Sequence, residues 1–239
     1  MKKLLSIASS LIIGTAILHA QGTVVFSFAG LGIQTNTALS HFTGGTETGG
    51  FGSGPIATVA NGGSFTFALF VQTYTGTLSS TATNPLTGGW TLATSGGIPV
   101  MSTNGPIPGG LFGSGGAAGV AIDGWALPTD GLYASSGREY FMIAGWSTSL
   151  GLTWSAVSSE LADNFMDVTA PGFFGVSTIG NGYAGGTNSL SPQSLFNANG
   201  ATQVPASTFT LYEIAIPEPT TMALAGVGGL SLLLFRRRK

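Results

Sequence analysis

The sequence predicts an all-β body, a β-sandwich or jelly-roll-like domain with long Gly/Ser/Thr-rich loops, on two observations. Short runs rich in aromatic and β-branched residues recur along the chain, several of them with period two, and stretches rich in Gly, Ser, Asn and Pro separate them. Only one segment carries helical spacing. Composition agrees with a packed body: 43% of the 239 residues are hydrophobic and 10% aromatic, with a net charge of -2, so there is enough apolar material for a core.

The expected strands, in order, are Thr23–Phe28, Ser64–Val71, Trp90–Thr94, Tyr140–Trp146, Gly172–Ser177 and Thr208–Ile214. Between them lie loop-like stretches such as Thr43–Pro55, Thr103–Gly119 and Ile179–Asn199, where Gly and Pro punctuate the chain. Thr153–Phe165 (TWSAVSSELADNF) places Trp154, Val157, Leu161 and Phe165 on one stripe, which predicts a single short helix. No internal repeat is evident.

The two ends read as segments outside the body. Lys2 and Lys3 precede an apolar stretch from Leu4 to Leu18 and then Ala20, a charged n-region, an h-region and a small residue at a cleavage point. Residues 1–20 are therefore expected to be a signal peptide read by the secretion machinery, with the mature chain starting at Gln21. At the other end, Pro217-Glu218-Pro219 precedes an apolar run from Met222 to Phe235 and then Arg236-Arg237-Arg238-Lys239. A 14-residue helix spans about 21 Å against a hydrocarbon core of roughly 30 Å, so it is expected to cross with some mismatch, basic tail in the cytoplasm. Gly226, Gly228 and Gly229 weaken this transmembrane helix, which suits a transient anchor in the inner membrane. The division is thus 1–20, a body at 21–215, and a C-terminal signal at 216–239.

These C-terminal residues resemble the PEP-CTERM sorting signal of Gram-negative bacteria. The resemblance implies recognition of Pro217, Glu218 and Pro219 by an exosortase, a membrane enzyme that removes the tail, with Arg236, Arg237 and Arg238 as the retention cluster. It implies a precursor anchored in the inner membrane, then a product at the cell surface or in extracellular polysaccharide and biofilm. The two prolines agree physically: they hold the tripeptide extended, keep Glu218 exposed and stop a helix from propagating towards the body. Gln21-Gly22-Thr23-Val24, together with Ala144–Ser147 and Gly151–Ala156, also looks like PEP-CTERM proteins of Verrucomicrobia-type bacteria, which carry no agreed catalytic residues.

Charge placement excludes several functions. Only 7% of the chain is charged, against about 25% in ordinary domains. Six of the seven basic residues lie at the two ends, leaving Arg138 against eight acids between Gln21 and Ile216, a net charge of -7. A nucleic-acid partner needs a basic surface, and the body has none. The absence of Cys removes disulfides, a thiol nucleophile and Cys-based zinc sites. His41 is the body's sole histidine, and no Gly-x-Ser-x-Gly elbow accompanies it, so no catalytic residue and no transition-metal site is expected. Gly113–Ala118 is read as a flexible loop rather than a dinucleotide site.

The carboxylates and tryptophans are the remaining candidates. Glu160, Asp163 and Asp167 share one face of the expected helix, and Asp123 and Asp130 bracket a turn containing Trp125. They are read as solvated and turn residues, with calcium held by Asp side chains and loop carbonyls as the one cofactor alternative. Arg138 is read as a strand-edge residue, or one ion-paired across strands. Sugar binding needs exposed aromatic faces, and of Trp90, Trp125, Trp146 and Trp154, Trp125 is expected to be the exposed one. The expected function is that of a non-enzymatic surface or matrix protein, with a carbohydrate-binding module for extracellular polysaccharide as the alternative.

Overall fold

The computed structural model describes residues 21–27, 33–56, 65–76, 84–104, 111–113, 119–127, 137–185, 193–195 and 209–214. The expected signal peptide and the sorting segment both lie outside these residues. In chain order the strands are β1 (Gln21–Val25), β2 (Ile33–Leu39), β3 (Gly52–Pro55), β4 (Phe65–Thr73), β5 (Thr91–Leu92), β6 (Thr94–Ser95), β7 (Ile98–Pro99), β8 (Met101–Asn104), β9 (Leu111–Gly113), β10 (Val120–Ala126), β11 (Arg138–Ser147), β12 (Gly172–Val176), β13 (Gly180–Tyr183), β14 (Gln193–Ser194) and β15 (Phe209–Ile214). One helix, α1 (Trp154–Ala162), follows β11 after a short 3-10 turn at Thr148–Leu150. The described residues are mostly β, as expected, and their sheets do not close into a barrel.

A ten-stranded sheet runs β3-β2-β15-β12-β11-β4-β8-β9, with β13 also beside β11 and β5 beside β4. Its centre is the antiparallel pair β4 and β11, in unbroken register from Glu139↔Thr73 to Ser147↔Phe65. Both strands read as near-continuous apolar runs rather than alternating ones, because both faces are buried. On one face Phe67, Leu69, Phe141 and Ile143 pack with Val24, Ile122, Trp125 and Leu195. Those partners belong to, or adjoin, a three-stranded sheet ordered β10-β1-β14. On the other face Phe70, Met142, Trp146 and Phe174 pack with Val157, Leu161 and Phe165 from α1 and the turn after it.

The helix is built as its residues dictate. Thr153 caps it, Oγ1 accepting from the backbone N–H of Ala156 at 3.3 Å, and Val157 and Leu161 form the buried stripe. It ends at Ala162, three residues short of the expected Phe165, since Asn164 and Phe165 take left-handed backbone angles (φ 53 and 58). Phe165 N–H closes that turn on the Glu160 carbonyl at 2.6 Å, and its ring is still fully buried, 5.3 Å from that of Phe174. The stripe is therefore as expected although the helix is shorter.

Several expectations fail. The stretches read as loops hold strands: β3 lies within Thr43–Pro55, β9 within Thr103–Gly119, and β13 and β14 within Ile179–Asn199. The region around Trp125 is not a turn: it is strand β10, antiparallel to β1, with a register shift between Gln21 and Thr23. Gly124, at φ 78, supplies the left-handed residue of that irregularity, which is why the stretch reads as a turn in the sequence. Strand β2 is absent from the expected set. Its buried positions are Ile33, Thr35 and Ala38, two of them small or polar, so the pattern carries little hydrophobic signal.

β12 and β15 approach closely because Gly175 has no side chain: a Cβ there would run into the Thr210 carbonyl oxygen and Leu211. Gly175→Ala is expected to lower stability by about 1–3 kcal/mol, measured by urea unfolding; an unchanged midpoint contradicts the packing at this ladder.

Candidate functional site

Arg138 opens β11 and is the body's only basic side chain. It is the first residue of an interior strand, with β4 on one side and β13 on the other, so it stands at the end of the strand and not at the edge of the sheet. Its cross-strand partner is Tyr183, not an acid. The guanidinium carbon lies 5.0 Å from the centre of the Tyr74 ring and 4.9 Å from that of Tyr183, a double cation–π contact. Nη1 reaches the Tyr74 hydroxyl at 3.5 Å, and Nε is buried without a hydrogen-bond partner. One rung pair further along, Asn181 faces Tyr140, and its Oδ1 is also buried and unpartnered. Tyr140 is buried beside Tyr74, ring centres 4.8 Å apart. Burial pushes the Tyr140 hydroxyl up, the Tyr74 phenol adds to this, and the Arg138 charge opposes it.

Strand alternation puts Glu139 on the opposite face from Arg138, so these neighbours do not pair. Burial raises the Glu139 carboxyl from 4.5 to about 7, against the backbone N–H of Tyr74, which favours the ionised form. Sequence reasoning misses this perturbed carboxyl and the tyrosines. The only signal it offers is a single base opposite a Tyr-containing strand.

The tryptophans take other places. Trp125 is 2% exposed, lies in the core beside Phe141, and donates Nε1–H to the Gly137 carbonyl at 2.8 Å. The expectation of an exposed Trp125 is therefore wrong, and its indole offers no free face to a sugar. Trp90 and Trp146 are buried as well, Trp146 donating to the Gly151 carbonyl at 2.8 Å. Trp154 is half-buried between Phe70 and Trp146.

The acids do not converge. Asp123 accepts from Thr94 Oγ1 at 2.8 Å and from the backbone N–H groups of Gly96 and Gly97 at 2.9 and 2.8 Å. These bonds tie β10 to the β6–β7 hairpin, whose two loop glycines both have positive φ, as a type I′ turn requires. Asp130 lies outside the described residues, as does the Gly113–Ala118 loop beyond Gly113. Glu160 is on α1, Asp163 caps its end, and Asp167 is exposed past it, so the helix face expected for all three is shared only in part. Among the described residues no group of three His, Cys, Asp or Glu side chains is placed to hold a metal ion. His41, in a 3-10 turn at His41–Thr43, directs Nδ1 to the Glu47 carboxylate.

The body's chain leaves the sheet at Ile214, which is 1% exposed at the end of β15. From Ala215 onward the sequence holds Pro217-Glu218-Pro219, the apolar run and the arginine cluster. Residues 215–239 match the PEP-CTERM protein-sorting motif. The PEP-CTERM motif marks an exported protein sorted at its C-terminus, with exosortase as its processing partner. No curated protein and no solved structure matches the chain. Among the described residues no helix is long and apolar enough to cross a membrane, and the expected membrane helix at 222–235 lies outside them.

Two measurements check this geometry. Asp123→Ala removes three hydrogen bonds from a half-exposed carboxylate and is expected to cost about 1–3 kcal/mol in urea unfolding. The Glu139 carboxyl is raised in the fold, so the folded body holds a proton that the unfolded chain releases above its ordinary 4.5. Its contribution is full below that value and is lost as the pH rises through about 7. Thermal melting should fall across this window, and Glu139→Gln should flatten the fall; equal slopes for the two proteins contradict the assignment.

Proposed function

We propose that the protein is a non-enzymatic component of the cell surface or extracellular matrix of a Gram-negative bacterium. In this reading residues 1–20 direct export, and the apolar run at 222–235 holds the precursor briefly in the inner membrane. Exosortase then removes the tail at or near Pro217-Glu218-Pro219, with Arg236–Arg238 retaining the precursor until it does. The PEP-CTERM match at residues 215–239 carries this proposal. The acidic, Gly-rich body supports it: its only histidine is occupied with Glu47, and Asp123, the acid with the most hydrogen bonds given to it, is used to fasten a hairpin. The two sheets that share one apolar cluster are, in this reading, the layers of a β-sandwich.

A second reading, binding of extracellular polysaccharide, is favoured by one observation. Arg138 stacks between Tyr74 and Tyr183 on a part of the sheet where polar aromatic residues replace aliphatic ones. Tyrosine faces with nearby amide and guanidinium groups are what a sugar site is made of.

The intact mass of the protein released from native cells tests the first reading. The expected product begins near Gln21 and lacks Met222–Lys239, and Glu218→Ala should shift most of the protein into the membrane fraction at precursor mass. A surface protein that still carries the tail overturns it.

A further inference from the structure

We propose that β15 is the clasp of the body, a strand whose release frees β2 and β3 with it as one unit and gives slack to the chain that enters the sorting motif. The second half rests on the exosortase reading; the first stands on the sheet alone.

Strand order shows what β15 holds. In the order β3-β2-β15-β12 the first two strands join the remainder of the ten-stranded sheet through β15. Among the described residues β3 pairs with β2 alone, and β2 with β3 and β15. The parallel ladder runs from Phe209↔Ile33 to Glu213↔Leu39, and the Ser40 N–H adds a bond to the Glu213 carbonyl at 2.9 Å. Apolar ties follow the same route. Ile33 and Ile56 lie in the cluster that holds Leu211, and Phe42 in the one that holds Ile214. Leu211 and Ile214 are 0% and 1% exposed, so release of β15 withdraws two fully buried side chains from both clusters. What is left of β2 and β3 is a hairpin of 7 and 4 residues, its second strand Gly-Ser-Gly-Pro. A two-stranded hairpin is marginal in water, and this one has little apolar surface to support it. Phe42 also meets the Phe174 ring edge-on at 5.0 Å, a contact that bypasses β15, but a single ring pair does not hold a hairpin in place.

Position in the chain lets β15 act in this way. The preceding strand, β14, belongs to the three-stranded sheet, and the sorting motif begins directly after Ile214, so β15 leaves without drawing another strand of its own sheet after it. Ala215 and Ile216 alone separate Ile214 from Pro217. Three steps of fully extended chain reach about 10 Å, roughly the diameter of one helix. An enzyme that grips Pro217-Glu218-Pro219 as an extended segment therefore meets the end of the sheet while β15 is docked. Opening of a local unit is the ordinary route by which a folded chain yields a segment to such an enzyme.

Native-state hydrogen exchange of the full chain in detergent tests the clasp. The amides of Thr37 and Ile56 bond to Phe51 and Ile33, inside the hairpin. They should exchange at the rate of the β15 amides, and about tenfold or more faster than those shared by β4 and β11. Gly175→Ala lies in β12, on the far side of β15 from the hairpin, and crowds the Thr210 carbonyl. It should speed Thr37 and Ile56 about tenfold, whereas a hairpin that opens by its own fraying is unmoved. Phe173→Cys with Glu213→Cys joins cross-strand partners of β12 and β15. Once oxidised, this pair should slow Thr37 and Ile56 to the rate of the β4–β11 core, and reduction should reverse it. Exchange of Thr37 and Ile56 at the core rate in the parent, indifference to Gly175→Ala, or indifference to oxidation of the pair each overturn the clasp. For the link to sorting, the precursor is incubated with membranes of the native cells. The oxidised pair should be cut about tenfold more slowly than its reduced form, and the parent, which has no Cys, fixes the effect of the reductant on the enzyme. Equal cutting of the two forms overturns that link. If the parent is not cut at all, the exosortase reading fails, and exchange alone decides the clasp.

Discussion

The pairing of β4 with β11 is the constraint on which the other elements depend. Nine consecutive residues of each strand are in register, and within that stretch side chains of both parities are apolar. Such a ladder has no face to give to water, so each side has to be covered, and the rest of the chain supplies the covers. The three-stranded sheet takes the side of Phe67, Leu69, Phe141 and Ile143, while α1 and Phe165 take the side of Phe70, Met142 and Trp146. A full side-chain burial of this kind contributes roughly 1.5–3 kcal/mol for each large apolar residue. The core therefore outweighs the few ionic contacts of a chain that is 7% charged.

The cover is uneven along the ladder, and the uneven part is where polar chemistry collects. α1 sits against the Trp146 end through Trp154, which meets both Phe70 and Trp146. At the opposite end β11 starts with Arg138 and Glu139, and the facing strands bring Tyr74, Tyr183 and Asn181. Burial there is partial. It is sufficient to raise the Glu139 carboxyl and to orphan Nε of Arg138 and Oδ1 of Asn181. These two atoms lie two rungs apart on the β11–β13 ladder, and burying such groups without a partner costs about 1–3 kcal/mol each.

The elements legible in the sequence are those whose local pattern and tertiary burial agree. β4, β11 and the Val157–Leu161–Phe165 stripe announce themselves by apolar density or by spacing, and they are where expected. β2 and β10 do not, because Thr35 and Ala38 are buried without being strongly hydrophobic and Gly124 interrupts β10 with a left-handed residue. That interruption misplaces Trp125: a Gly-Trp pair three residues before Pro128 resembles an exposed turn only until β1 is laid beside it. The Arg138 cluster is less legible still. Tyr74, Arg138 and Tyr183 are far apart in the chain, and strand register alone brings them together.

The junction between body and sorting motif carries a physical condition of its own. β15 lies inside the sheet, parallel to β2 on one side and antiparallel to β12 on the other, with Leu211 and Ile214 buried. Only Ala215 and Ile216 separate Ile214 from Pro217. Loss of β15 would strip both neighbours of their hydrogen bonds and open the apolar cluster at Leu211. The same closeness means that the sheet is complete only when the chain has been exported almost to its end. The last described strand then enters between two others while the sorting motif begins at the next residue, so folding of the body and presentation of the motif are steps on one short stretch of chain.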